Sequence, residues 1–320
     1  SPDRIIELEN ETYLYFGGTS YLGLPTHSKF KETLVKNILQ WGTAFGSSRN
    51  ANIQLNAYEN GERFLAKFIE SESALTVSSG SLAGKLVIDT LAQENQTFFH
   101  FPNCHPAIKA KNSAPLFIKN KLNPILFNGI SEKITILTDA VPSLNIRPID
   151  FSVLARIPSN KEITLVVDES HALGILEKNG QGIFATLQLP NIKRKIMLAS
   201  LGKAFGLTGG VIAGDANFIA QLKNQDGFVT GAGMNAAFVQ TMADSEAIYI
   251  AQHKKLKENL NYLKSHLKPN KFFEFNPEYP LIYPNEEALD IELKKNKIII
   301  TNFDYPTGTK SLKRIVVTAN

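Results

Sequence analysis

Ile163-Thr164-Leu165-Val166-Val167 constrains the fold of this 320-residue chain more than any other stretch. A run so rich in β-branched and apolar residues has no polar face to offer water. It reads as a strand buried on both faces, the kind found in parallel sheets covered by helices. The run ends in Asp168-Glu169-Ser170-His171-Ala172-Leu173-Gly174. In open α/β sheets ligands bind beyond the carboxyl ends of the strands. Asp168 and His171 are therefore candidate site residues. The competing reading has Asp168 capping the turn that follows it.

Further strands are expected over 13–16, 74–77, 98–104, 134–138, 196–200 and 211–213, from aromatic and β-branched content. Amphipathic helices are expected over 28–41, 58–70, 80–91, 217–225 and, as one long element, 235–264. Residues 227–234 read as a loop. The tail alternates strand (281–283), helix (286–294), strand (298–301) and strand (314–318), a small α+β unit. The fold expected is α/β, with a mostly parallel central sheet and a small α+β C-terminal domain. The expected boundaries are an N-terminal segment over 1–41, a large domain over 42–234, and a connecting helix with the small domain over 235–320.

Composition removes several function classes. The net charge is +4, and lysines such as Lys254-Lys255 and Lys294-Lys295 fall as pairs on helix faces rather than in a dense basic block. Nucleic-acid binding is not expected. No apolar run reaches the ~20 residues that span a bilayer, so no membrane partner is expected. A single cysteine, Cys104, rules out an internal disulfide framework and suits a reducing compartment. Ser1-Pro2-Asp3-Arg4 carries no signal-peptide pattern. The expected location is cytoplasmic.

The chemistry is suggested by Lys203. It sits in Ser200-Leu201-Gly202-Lys203-Ala204-Phe205-Gly206, between the apolar runs Ile196–Leu198 and Val211–Ala213. A lysine walled by apolar groups loses proton affinity, and a neutral amine can form a Schiff base with an aldehyde. A solvated lysine in a glycine-rich loop is the alternative. Upstream, Ala74–Val77 runs into Ser78-Ser79-Gly80-Ser81 and then a helix. Strand, Ser/Gly turn and helix N-terminus form a phosphate-binding recipe, since unpaired N–H groups and the positive helix end face the anion. The same residues also suit a plain serine cap. His105 follows the strand over 98–104, with His100 as a competitor. His27 reads as a cap or a solvent residue. An anion site, a Schiff-base lysine and a carboxylate together suggest pyridoxal 5′-phosphate, whose ring nitrogen an aspartate keeps protonated.

These residues resemble the α-oxoamine synthases, pyridoxal-phosphate enzymes of the aspartate-aminotransferase fold (fold type I). The resemblance runs through Tyr21-Leu22-Gly23-Leu24, Gly46-Ser47-Ser48-Arg49, Ser79-Gly80, the Asp168–Gly174 stretch, the Ser200–Gly206 stretch with Gly209-Gly210, Pro306-Thr307-Gly308-Thr309 and Arg314–Ala319. It implies condensation of an amino acid with an acyl-CoA and loss of CO₂. Lys203 would carry the cofactor and move the α-proton. Asp168 would face the ring nitrogen and His105 the ring face, with His171 and Ser143 near the ring oxygen. Gly80, Ser81 and Ser200 would hold the phosphate, and Arg314 the substrate carboxylate. A homodimer is implied, and no metal.

Departures gather in the loops. Thr19-Ser20 stands where the family has Asn-Asp, Asp139 where it has Glu, Leu144-Asn145-Ile146 where it has Met-Asp-Gly, and Ala232 where a hydroxyl is usual. The sequence therefore leaves open which amino acid and acyl chain are used. It also leaves open an aminotransferase on the same fold, or a non-catalytic partner subunit.

Overall fold

The computed structural model describes residues 2–94, 96–268, 271–286, 288–304 and 311–320. Among the described residues, fifteen strands are numbered in chain order: β1 (Ile5–Leu8), β2 (Glu11–Phe16), β3 (Ser73–Val77), β4 (Thr97–His100), β5 (Ala114–Pro115), β6 (Phe117–Ile118), β7 (Lys121–Leu122), β8 (Glu132–Asp139), β9 (Lys161–Asp168), β10 (Ile192–Ser200), β11 (Gly210–Gly214), β12 (Phe273–Phe275), β13 (Leu281–Pro284), β14 (Ile298–Asp304) and β15 (Ser311–Val316). The helices are α1 (Ser28–Trp41), α2 (Asn56–Ile69), α3 (Gly80–Ala92), α4 (Ala216–Lys223), α5 (Asp226–Val229), α6 (Ala236–Ala243), α7 (Glu246–His266) and α8 (Leu289–Lys295).

Among the described residues, seven strands form the central sheet in the order β3-β11-β10-β9-β8-β4-β5. The pairs β10–β9, β9–β8, β8–β4 and β4–β5 are parallel, and β11 runs against both its neighbours. The sheet is mostly parallel, as its β-branched central strand implies. Alternation in β9 explains the layers, because successive side chains leave a strand on opposite faces. Val166 packs with Leu86, Val87 and Leu198 beneath α3, whereas Ile163, Leu165 and Val167 pack with Leu116, Ile136 and Phe151. Burial on both faces leaves the strand ends as the working edge.

The second sheet runs β1-β2-β14-β15-β13-β12, so N-terminal strands complete a sheet made otherwise from the tail. The joint is anchored at Tyr21-Leu22-Gly23-Leu24. Tyr21 O accepts from Ala319 N–H (2.9 Å), and Leu22 O accepts from Gln252 of α7 (2.8 Å).

Several local expectations change. The single helix over 235–264 is two helices, α6 and α7. Asn37 of α1 donates to Asp244 Oδ2 (2.9 Å), and Ser245 leaves helical geometry at φ −117°, ψ 15°. The strand over 98–104 closes at His100, because Pro102 lacks an N–H donor and Asn103 takes φ 59°. The loop over 227–234 opens with α5, and the tail helix begins at Leu289 rather than residue 286. His27 caps α1, its Nδ1 accepting from Phe30 N–H (3.3 Å). Pro306-Thr307-Gly308-Thr309 lies outside the described residues.

Candidate active site

The parallel register brings the acidic residues together. Asp139 and Asp168 are direct partners at the ends of β8 and β9, and Leu198 of β10 pairs with Asp168. Ser200 therefore ends one strand over, and Lys203 stands in the turn just beyond. On the far side, Val77 of β3 pairs with Gly210, which pairs with Ser200. This puts the start of α3 beside Ser200. Contact is tight: a Cβ on Gly80 would lie 2.9 Å from Ser200 Cβ, and one on Gly210 would lie 2.8 Å from Gly80 N. Only glycines let the helix end approach so closely. Ser79 is the cap of α3, its Oγ accepting from Leu82 N–H (3.1 Å). The cap leaves the Gly80 and Ser81 N–H groups at the helix mouth, where an anion can use them.

Burial drives the electrostatics. Lys203 is pushed down to about 8, first by desolvation and further by the positive charge of Arg314; the carboxylates of Asp168 and Asp139 oppose this. No hydrogen bond or ion pair holds Nζ among the described residues. Asp139 is held well above the usual carboxylate range by burial and by the neighbouring charge of Asp168. Its Oδ2 accepts the backbone N–H of His105 (2.8 Å), which places the His105 loop over the strand ends. His105 is lowered by burial and by Lys203, against the pull of Asp168. Asp168 is 7% exposed and its Oδ1 accepts from Ser170 N–H (2.8 Å). Ser170 Oγ in turn accepts from Ser200 N–H (2.7 Å).

His171 is buried and is held far below its usual value by desolvation, then by the charges of Lys203, Arg314 and His105. Its Nε2 lies 3.4 Å from Ser143 Oγ and its Nδ1 lies 2.8 Å from Tyr21 Oη. Arg314, on β15, is 5% exposed, and its Nε has no partner. No carboxylate pairs with its guanidinium among the described residues. A buried guanidinium without a carboxylate is costly, which is what a site built to receive one would show.

The structure thus gathers Lys203, Asp168, His171, His105, Ser143, Ser200, Gly80, Ser81 and Arg314 at one sheet edge. His100 bonds Ser113 (2.9 Å) instead. Arg49 is engaged elsewhere, donating to Glu62 Oε1 and Thr76 O (both 2.8 Å) with its guanidinium 4.0 Å above the Tyr58 ring. Three phenols were missed as site residues: Tyr21, Tyr279 and Tyr283. Tyr21 carries a readable signal, a hydroxyl within a fully apolar motif that must find a partner once buried. Tyr279 and Tyr283 reach the site only through the fold of the tail. Tyr279 Oη donates to His171 O (2.8 Å) and Tyr283 Oη to Ser143 O (2.7 Å).

The residues fit pyridoxal 5′-phosphate. A partnerless, partly deprotonated amine, a free helix mouth cleared by glycines, a strand-end aspartate and an unpaired arginine match an aldehyde, a phosphate, a ring nitrogen and a substrate carboxylate. Comparisons with known proteins agree. The description "Aminotransferase class I and II" matches residues 149–320. An 8-amino-7-oxononanoate synthase of Petrotoga mobilis is 27% identical over 339 residues, covering 98% of this chain and 84% of that protein. The solved serine palmitoyltransferase of Sphingomonas wittichii has a TM-score of 0.81 at 16% identity, covering 99% of this chain and 85% of that one. An 8-amino-7-oxononanoate synthase of Francisella tularensis has a TM-score of 0.71 at 23% identity, covering 96% and 92%. The two structures share the fold of this chain. The chain belongs to the aminotransferase class I and II family, with the fold-type I architecture of pyridoxal-phosphate enzymes. Within that family it resembles proteins named 8-amino-7-oxononanoate synthase, at 24–27% identity. Among the described residues, no helix is long and apolar enough to cross a membrane.

Proposed function

We propose that this chain joins an amino acid to an acyl-CoA with loss of CO₂, and that the pair is alanine and pimeloyl-CoA, the 8-amino-7-oxononanoate synthase reaction of biotin biosynthesis. The observation that carries the reaction class is the desolvated Lys203 amine facing Asp168 and His171 beside the unpaired, buried Arg314. The choice of substrates is supported by the names of relatives at 24–28% identity.

Bound pyridoxal 5′-phosphate supplies an electron sink that lets a bond at the amino acid's α-carbon ionise. Gly80 and Ser81 N–H groups, with Ser200, would hold the phosphate. The Asp168 carboxylate would pair with the ring nitrogen and keep it protonated. His105, its loop tied down through Asp139, would cover the ring, and His171 and Ser143 would bind the ring oxygen. Lys203 would be the attachment point for the aldehyde and would take and return the α-proton, a role its lowered proton affinity suits near neutral pH. Arg314 binds the substrate carboxylate through two parallel N–H groups and orients it for loss as CO₂. Asp168 and Arg314 are buried, so their charges act through a low dielectric. The assembly expected is a homodimer.

Release of CoA thiol, measured with glycine, alanine and serine against acetyl-, pimeloyl- and palmitoyl-CoA, tests the reading. Alanine with pimeloyl-CoA is expected to give the fastest release. Release by another pair refutes the substrates, and release by none refutes the reaction class. Keto-acid-dependent amino transfer without thioester consumption would identify an aminotransferase instead.

A further inference from the structure

The His171–Ser143 pair is held by three phenols from distant parts of the chain. Tyr279 and Tyr283, from the tail, donate to the backbone carbonyls of His171 and Ser143 and so fix where both residues stand. Tyr21, from the N-terminal motif, is completely buried and reaches the His171 ring itself, Oη to Nδ1 at 2.8 Å, with the two rings edge-on at 6.2 Å. Burial pushes the Tyr21 phenol far above its usual value, so it keeps its proton. The same burial keeps the His171 imidazole neutral. A neutral imidazole carries one N–H, and which nitrogen bears it is set by the bond made at the other. Tyr279 spends its own O–H on His171 O, and among the described residues Tyr21 Oη has Nδ1 as its hydrogen-bond partner, so the proton the phenol keeps goes to Nδ1. The N–H then falls on Nε2, which points at Ser143 Oγ.

We propose that Tyr21 is a positioning residue that holds His171 as its Nε2–H tautomer, so that the ring offers a donor rather than a lone pair on the side it shares with Ser143. The chemical value lies in the sign of the interaction. A donor at Nε2, beside a serine hydroxyl, stabilises an anionic oxygen placed between them; the other tautomer would repel it. The proposal rests on the cofactor reading only for the identity of that oxygen. The tautomer itself is a property of this chain. It also gives Tyr21 a reason to be tyrosine. Its backbone anchors the joint to Ala319, which any residue could do, but only a hydroxyl reaches Nδ1.

The test is nitrogen-15 NMR of the histidine rings in the full chain, with and without bound pyridoxal 5′-phosphate. The chain has six histidines, and His171→Gln assigns the signal. The expected result is a non-titrating His171 with a protonated-type shift at Nε2 and an unprotonated-type shift at Nδ1 from pH 6 to 8. Tyr21→Phe keeps the ring packing and removes the donor; it is expected to bring up the Nδ1–H form in a chain that still melts cooperatively. A wild-type His171 found as Nδ1–H overturns the proposal without needing any variant to fold. A folded Tyr21→Phe chain with an unchanged tautomer also overturns it. If the cofactor does not bind, the measurement without it still decides the tautomer, so failure of the functional reading is seen separately.

Discussion

The proton affinity of Lys203 can be tested directly. With its value pushed down to about 8, about one Lys203 in ten is neutral at pH 7, against about one in three thousand for an ordinary lysine. Covalent capture of pyridoxal 5′-phosphate by the cofactor-free chain should therefore concentrate at Lys203, about a hundredfold or more over surface lysines per residue. Its rate should rise with pH and level off with a midpoint about 8. The neighbours set the direction of change. Arg314 pushes the lysine down, so Arg314→Gln should raise the midpoint and slow capture at pH 7. Asp168 pulls it up, so Asp168→Asn should lower the midpoint. Borohydride trapping at short times, with the labelled peptide located by mass, gives the rate at Lys203 alone; Lys203→Ala is the control. A midpoint about 10, or equal labelling of Lys203 and surface lysines, would refute the desolvation reasoning. So would an Arg314→Gln midpoint that does not move.

Removing the buried amine should stabilise the cofactor-free chain. The folded state holds Lys203 at about 8 against 10.5 for an ordinary lysine, so between these values it binds fewer protons than the unfolded chain. Stability from this group therefore rises with pH across that window, and its cost is complete below it. Lys203→Met should gain about 1–2 kcal/mol at pH 7 and nothing at pH 11, read from urea midpoints. Gly174 holds φ +85°, and a Cβ there would lie 2.5 Å from Ala204 Cβ, the neighbour of Lys203. Gly174→Ala should cost about 2 kcal/mol or more and slow capture at Lys203, and a wild-type melt would contradict it. Glu62→Ala should cost about 3–5 kcal/mol, because it strands the buried Arg49 guanidinium while Thr76 loses its acceptor. Asp139→Asn keeps an acceptor for His105 N–H and resembles the protonated acid that burial favours, so its stability should stay within about 1 kcal/mol, whereas Asp139→Ala should lose about 1–3 kcal/mol. Thermal melts of both variants decide the point.

Much of the site was legible because its chemistry is written in short, local patterns. The buried strand over 163–167 ends at Asp168 and His171, and period and composition suffice to say so. The glycine-flanked Lys203 and the Ser79–Ser81 turn each announce a local environment, an apolar wall and a helix mouth. The helix break at Asp244–Ser245 was not legible, because the side chain that holds it comes from Asn37 on another helix. The early end of β4 was available in Pro102 and Asn103 but was outweighed by the aromatic content before them. The N-terminal strands gave no sign that their partner is the tail, since strand pairing over that separation leaves no local trace.

By itself the sequence determined the sheet class and the residues at the strand ends, and it pointed to the cofactor chemistry. The first two follow from periodicity and local composition; the third came from functional groups read together with a family resemblance. Only the tertiary structure decided how those groups are tuned. Proton affinity, tautomer and unpaired charge depend on what surrounds a group, and the surroundings come from distant parts of the chain. Arg314 of the tail presses on Lys203 of the turn. Tyr21, Tyr279 and Tyr283 close around His171 and Ser143. Asp139 fixes the loop of His105.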